Sequence, residues 1–151
     1  MWTGGHGEGG KAKLADRLAM AGFAPFALCL FWLLGIEPSE PNWQLALTAM
    51  RAYAIAILSF LGGVRWGAAL GEDGAARTFW HSIVPAMLAW ATVFMQPVLA
   101  LAILAMTFAG LGAWDVLSAQ RGALPGWYGM IRMKLTFMVV GALLIAMIRV
   151  G

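Results

Sequence analysis

Apolar residues along the chain fall into blocks of about twenty, separated by short polar or Pro- and Gly-containing segments. The blocks predict five helices, over residues 14–35, 43–71, 78–95, 97–114 and 130–150. The first break, Glu37 to Asn42, holds two prolines and two acids and cannot continue a helix. The second is the polar turn Glu72-Asp73-Gly74. Between His81 and Asp115 there is no charged residue at all. One helix over that stretch would be about 50 Å long by helical rise, well beyond a ~30 Å hydrocarbon core. A hairpin at Gln96-Pro97 is therefore expected, with Pro97 as the first residue of the fourth helix. Asp115 to Gly129 reads as an amphipathic connector, and residues 1–13, rich in glycine, as a flexible tail ahead of a membrane domain over 14–151. Pro25 lies inside the first helix, where it deprives the carbonyl near Ala21 of its partner and predicts a kink. The first apolar run reads as a span and not a leader, because Glu37-Pro38-Ser39-Glu40-Pro41 stands where a small-residue cleavage site would be needed.

Composition turns these helices into membrane helices. Of 151 residues, 62% are hydrophobic and 11% charged, and the mean hydropathy is +0.79. Soluble domains carry roughly 25% charged residues. A chain this small cannot coat a water-facing surface with so few charges, whereas lipid solvates the excess apolar area. The fold class expected is thus all-α, a polytopic membrane bundle of five transmembrane helices. The net charge of +3 is spread between apolar runs instead of clustered on one face, which argues against nucleic acid as a partner. Placement of the cations predicts orientation. With the N-terminus in the cytoplasm, seven Lys and Arg (Lys11, Lys13, Arg17, Arg77, Arg121, Arg132 and Lys134) gather inside, against two (Arg51 and Arg149) outside. Gly74 and Arg121 would then face the cytoplasm, and Ser39 and Gly151 the periplasm. The single cysteine, Cys29, sits in an apolar run and reads as a small packed hydrophobe.

Two constellations carry what chemistry the sequence offers. Gly63, Gly67 and Gly71 recur every fourth residue in the second helix, with Ser59 one turn earlier and Gly62 beside them. Such a stripe lets a second helix approach closely, since apolar attraction does not drive association within lipid. The expectation is a helix-packing face, with close approach to a ligand as the alternative. Arg65 lies about 9 Å from the end of the same helix by helical rise. Charges at that depth are paired, face a cavity, or snorkel to the headgroups. Asp115 ends at a similar level, so an Arg65–Asp115 ion pair and snorkelling of Arg65 to lipid phosphate both stand as readings. Trp66, His81, Trp127, Tyr128 and Arg132 complete a polar and aromatic cluster at this end, ligand-binding or structural. Trp127-Tyr128 with Arg132 has the make-up of an interfacial anchor. His81 could ligate haem only with a second intramembrane histidine, which the chain lacks. No metal site and no cofactor are expected. Neither a Ser-His-Asp set with polar support, nor HExxH, nor a phosphate-cradling loop is present, so the reading is of a protein that is not an enzyme.

The run Ser59-Phe60-Leu61-Gly62-Gly63 with Trp66-Gly67 resembles the second-helix signature of a bacterial inner-membrane family of unknown function, a family that takes in an animal mitochondrial membrane protein, transmembrane protein sixty-nine. Pro25-Phe26, Ser82 with Pro85 and Trp90, Asp115, and Pro125 with Trp127-Tyr128, Arg132 and Leu135-Thr136 are similar as well, so the likeness covers about residues 20–145. The resemblance implies five helices in an energy-transducing membrane and brings no catalytic list. In size, helix number and tryptophan content the chain is also similar, as an architecture, to the tryptophan-rich sensory (translocator) protein family. The expected function is that of a non-enzymatic inner-membrane protein that packs against, stabilises or helps assemble a larger complex, respiratory complexes included, or that forms a homo-oligomer. A binder or transporter of a porphyrin- or lipid-like small molecule in a Trp-lined pocket is the alternative.

Overall fold

In the computed structural model, residues 5–70, 76–122 and 124–151 are described, and they form five α-helices without strands among them. These are α1 (Gly5–Gly35), α2 (Pro41–Ala69), α3 (Ala76–Ala91), α4 (Pro97–Gln120) and α5 (Gly126–Val150), with a 3-10 turn at Thr92–Phe94 after α3. The expected polar turn at Glu72-Asp73-Gly74 lies outside the described residues, as does Gly71.

Prolines set two of the starts. Pro41 opens α2 and Pro97 opens α4, each where a helix has no use for an N–H. The hairpin at Gln96-Pro97 is present, entered through extended Met95. Three boundaries differ from the sequence expectation. The first helix begins at Gly5, so residues 5–13 are helical instead of forming a loose tail. Once a helix exists, each added residue brings one more hydrogen bond at no further nucleation cost, and Lys11, Ala12 and Lys13 are good helix formers. The fourth helix runs through Asp115 to Gln120, because Asp115 is neutralised by side-chain partners and need not mark a polar exit. It stops at Gly122, whose φ of 79° is the left-handed cap that favours glycine. The fifth helix then opens at Gly126, just after Pro125, and not at Met130.

The helices close into a ring in which each packs on its chain neighbours, α5 returns to α1, and α2 touches α4 across the middle. Direction follows from which residues meet. Asp16 of α1 pairs with Lys134 of α5, while Ile36 at the end of α1 accepts from Arg149 at the end of α5, so these two helices run parallel. Arg51 near the start of α2 donates to Thr92 and Met95 at the end of α3, so these two are antiparallel. Four helices are long and apolar enough to cross a membrane, α1 counted from Gly9. The third is shorter: the apolar stretch Thr78–Phe94 is about 25 Å by helical rise. It nevertheless reaches from the Arg65 end of α2 to the Arg51 end, so it covers the depth of its neighbours.

The core is built from Leu47, Met50, Leu58, Leu101, Leu104 and Leu143, all at most 1% exposed, with Phe26 edge-on to Tyr53 and Phe108. The Tyr53 hydroxyl donates to the carbonyl of Gly22 at 2.7 Å, next to the Ala21 carbonyl that Pro25 cannot serve. Outside, Phe31, Trp80, Phe94, Met106, Phe137 and Ile148 are between 73% and 78% exposed. In water that surface would be prohibitive; facing acyl chains it is the normal exterior of a membrane bundle.

Close helix approach occurs, but not where the glycine stripe places it. Gly62 is buried against α3, and a Cβ there would strike the Ser82 carbonyl. Ser59, Gly63 and Gly67 are exposed, and a Cβ at either glycine would meet nothing within 4 Å. The inner face of α2 is set by Ala54, Leu58, Leu61, Gly62 and Ala69, so the stripe of Ser59, Gly63 and Gly67 lies on the other side. Close contact also occurs between α4 and α5, where Gly112 receives the Thr136 side chain and Gly129 faces the Ala119 methyl.

Candidate functional site: a buried arginine–aspartate–arginine clamp

Helical spacing brings three charged side chains to one level. Arg65 comes from the last turns of α2, Asp115 from late α4 and Arg132 from the second turn of α5. The Arg65 Nε donates to Asp115 Oδ1 at 2.6 Å, and the Arg132 Nε donates to Oδ2 at 2.6 Å. Arg65 Nη2 also reaches the Ser118 hydroxyl at 3.1 Å, and its guanidinium carbon lies 5.7 Å from the centre of the Trp114 ring. Asp115 is 1% exposed and Arg132 4%. Each carboxylate oxygen is thus held by a different helix, and the aspartate ties α2, α4 and α5 together. Charge-assisted bonds of this kind are about twice as strong as neutral ones.

Of the two sequence readings for Arg65, the ion pair is the one present. The sequence pattern groups Arg132 with the interfacial aromatics Trp127 and Tyr128, whereas the structure makes it a partner of Asp115. Its signal was available: with α5 starting at Gly126, Arg132 lies at the depth of Asp115, and two cations facing one acid invite a shared pair. The sum is one surplus positive charge. Arg132 Nη2 is buried without a hydrogen-bond partner, an arrangement that costs more for a charged group than for a neutral one.

The other predicted site residues are distributed on either side of the clamp. His81, on α3, lies 5.1 Å from Trp114 ring to ring, tilted by 33°. Trp66 packs on Phe79 at 4.7 Å and Trp127 sits edge-on to Tyr128 at 6.2 Å. One pocket was expected to gather Arg65, His81, Asp115 and Trp127, and two separate cavities are found. A cavity of 490 Å³ between α3 and α4 is bordered by Arg65, His81, Ser82, Pro85, Met106 and Trp114. A second, of 390 Å³, lies between α1, α2 and α5 and takes Trp127, Tyr128 and Arg132. Among the tryptophans, boundary residue Trp43 is 5% exposed and packed in the core, whereas Trp32, Trp66 and Trp90, which lie within spans, are 40–56% exposed.

An all-helical bundle with a lipid-facing exterior and a few charges gathered at one level defines a multi-pass integral membrane protein. Its sequence over residues 12–148 matches the family described as "Protein of unknown function (DUF3429)", and the chain belongs to that family. It is 38% identical over 144 residues to Transmembrane protein 69 of Xenopus tropicalis, covering 87% of this chain. The chain spans about half the length of that relative, 54% of it. No solved structure matches.

Proposed function

We propose that this protein is a non-enzymatic accessory or assembly partner of a larger complex in the bacterial inner membrane, oriented with its N-terminus in the cytoplasm, and that it docks through the outer face of α2. The observation that carries this reading is the small-residue stripe left open there. Ala52, Ala56, Ser59, Gly63 and Gly67 follow one another at helical spacing and are all exposed. Ser59 satisfies its hydroxyl within the helix, on the Ile55 carbonyl at 2.9 Å, so the stripe presents no unpaired donor to lipid. Between exposed Phe60 and Trp66, this stripe of small side chains offers lipid little contact area and offers a partner helix close backbone approach, which is the main source of helix association in a bilayer. The occupant proposed is a transmembrane helix of another membrane protein, with respiratory complexes the first candidates. Seven cations against two favour the stated orientation.

The test is a mild-detergent purification of the tagged chain, with mass spectrometry of what accompanies it, repeated with Gly63→Leu. Position 63 is open, so the variant should fold as the parent does while losing a stoichiometric partner. A partner retained by Gly63→Leu defeats docking through α2, and recovery of only a second copy of this chain replaces the complex with a homo-oligomer.

The α3–α4 cavity supports a second reading, a binder or transporter of a flat small molecule. Its 490 Å³ falls in the range of ligand pockets, and Trp114, His81 and Arg65 offer it stacking and charge. A pigment co-purifying with the wild-type chain and lost with Trp114→Leu would select this reading over the first.

A further inference from the structure

We infer that the cavity between α1, α2 and α5 is a binding site for one anionic phospholipid, with an acyl chain in the cavity and the phosphate drawn to Arg132. Shape is the first ground. Along α5 the lining runs from Trp127 to Val139, and along α1 from Ala15 to Phe26. By helical rise these are about 18 Å and about 16 Å, so the space is a slot parallel to the helix axes and close to the depth of one leaflet of a ~30 Å core. Leu18, Phe23, Ile57, Leu61, Leu135 and Val139 make its walls apolar. A flat aromatic ligand does not need a slot of that length, whereas an acyl chain does.

Charge is the second ground. Among the described residues, Arg132 is the only cation lining this slot. The clamp behind it carries two arginines for one carboxylate, and the Nη2 of Arg132 is buried with no acceptor. A phosphate beside Arg132 neutralises the surplus charge and supplies an oxygen to that nitrogen. Level is the third. Arg132 lies two residues from Lys134, whose pair with Asp16 is exposed at 3.2 Å, and about 8 Å by helical rise from Trp127 at the mouth of the slot. Exposed ion pairs and tryptophan belong at the headgroup depth, so a lipid entering here keeps its headgroup at the interface while one chain descends.

The experiment uses the full chain, delipidated in a neutral maltoside, with binding read by native mass spectrometry and by the shift in melting temperature. Phosphatidylglycerol should bind saturably, near one per chain, and raise the melting temperature. Phosphatidylcholine should bind at least tenfold more weakly. Gly22→Leu is the informative variant. A Cβ at Gly22 meets no atom within 4 Å, and the residue lines the slot, so the larger side chain fills the cavity without crowding the backbone. That variant should melt like the parent in detergent alone and lose the response to phosphatidylglycerol. Arg132→Lys, which keeps a charge but not the guanidinium geometry, should weaken binding by about tenfold. If Arg132→Lys fails to fold, Gly22→Leu still decides the matter. Equal response to the two lipids, or an undiminished response in Gly22→Leu, overturns the proposal. Inorganic phosphate that stabilises the chain as much as the lipid does also overturns it, leaving an anion site with no place for the acyl chain.

Discussion

The two ends of the bundle handle arginine in opposite ways. At the Arg65 end, two guanidiniums converge on one carboxylate that is 1% exposed. At the other end, Arg51 donates to the Thr92 carbonyl at 2.5 Å and to that of Met95 at 3.4 Å, and Arg149 donates to the Ile36 carbonyl at 3.0 Å. These acceptors lie at the ends of α3 with its 3-10 turn and of α1, where a helix terminus leaves carbonyls to be satisfied. A cation there also meets the negative end of the helix dipole. A carbonyl is neutral, however, and leaves the charge itself unanswered: Arg149 reaches the exposed Glu37 carboxylate as well, at 3.8 Å, while the Nε of Arg51 is buried with no acceptor. A carboxylate removes the charge and lets the side chain sink. The clamp therefore joins three helices around one buried carboxylate, and the caps each join two.

This difference can be broken most severely at Asp115. Asp115→Asn leaves two buried arginines facing each other with no counter-charge, and breaking one partner of a buried pair costs on the order of 3–5 kcal/mol. Arg132→Gln should cost less, because Arg65 remains to pair the aspartate, and Arg65→Gln least, since its side chain is 12% exposed and the fully buried Arg132–Asp115 pair survives. Melting in detergent should thus fall in the order Asp115, Arg132, Arg65. The double variant Arg65→Ala with Asp115→Ala should lose less than the sum of the two single variants. Additive losses, or a reversed order, would mean that the three charges do not act as one network.

A smaller effect separates two adjacent glycines. Gly62→Ala pushes a methyl against the Ser82 backbone carbonyl, which cannot rotate away. Overpacking of this kind costs about 1–3 kcal/mol. Gly63→Ala meets open space, and by helix propensity alone should stabilise by up to about 1 kcal/mol. The pair of melting temperatures should move in opposite directions, and a loss in both would mean that the stripe is packed after all.

Much of this was legible beforehand because a bilayer leaves the sequence few choices. Blocks of apolar residues of spanning length, cut by Pro and by paired acids, announce five helices and the Gln96-Pro97 hairpin. Depth along a helix is readable from residue count, and it put Arg65 and Asp115 at one level. Rotation about the axis is not readable in the same way. Small residues satisfy lipid and a neighbouring helix equally, so the recurrence of Gly63 and Gly67 says which residues share a face and not where that face points. The missed role of Arg132 has a related cause. Taking Asp115 as the mark of a loop moved the start of α5 to Met130, which placed Arg132 at a helix end instead of one turn inside it.

The smallest effect belongs to the charges that never leave the interface. Lys134 and Asp16 pair at 3.2 Å with side chains 58% and 40% exposed, joining α5 to α1 at the clamp's own level. Two positions separate Lys134 from Arg132 on the same helix, which turns their side chains to different faces, one outward and one toward Asp115. Arg132 therefore gains a desolvated partner, whereas Lys134 keeps its water, and Coulomb attraction in a high dielectric barely exceeds the entropy of holding two flexible side chains together. Exposed pairs measure about 0.2–1 kcal/mol, and salt screens them further. Lys134→Gln should accordingly lower the melting temperature by no more than a degree or two in low salt, with the difference vanishing at about 0.5 M salt, where the Debye length is well below 10 Å. Loss of stability on the scale of Asp115→Asn, persisting in high salt, would show that Lys134 belongs to the buried network and that the division between buried and exposed charges is drawn in the wrong place.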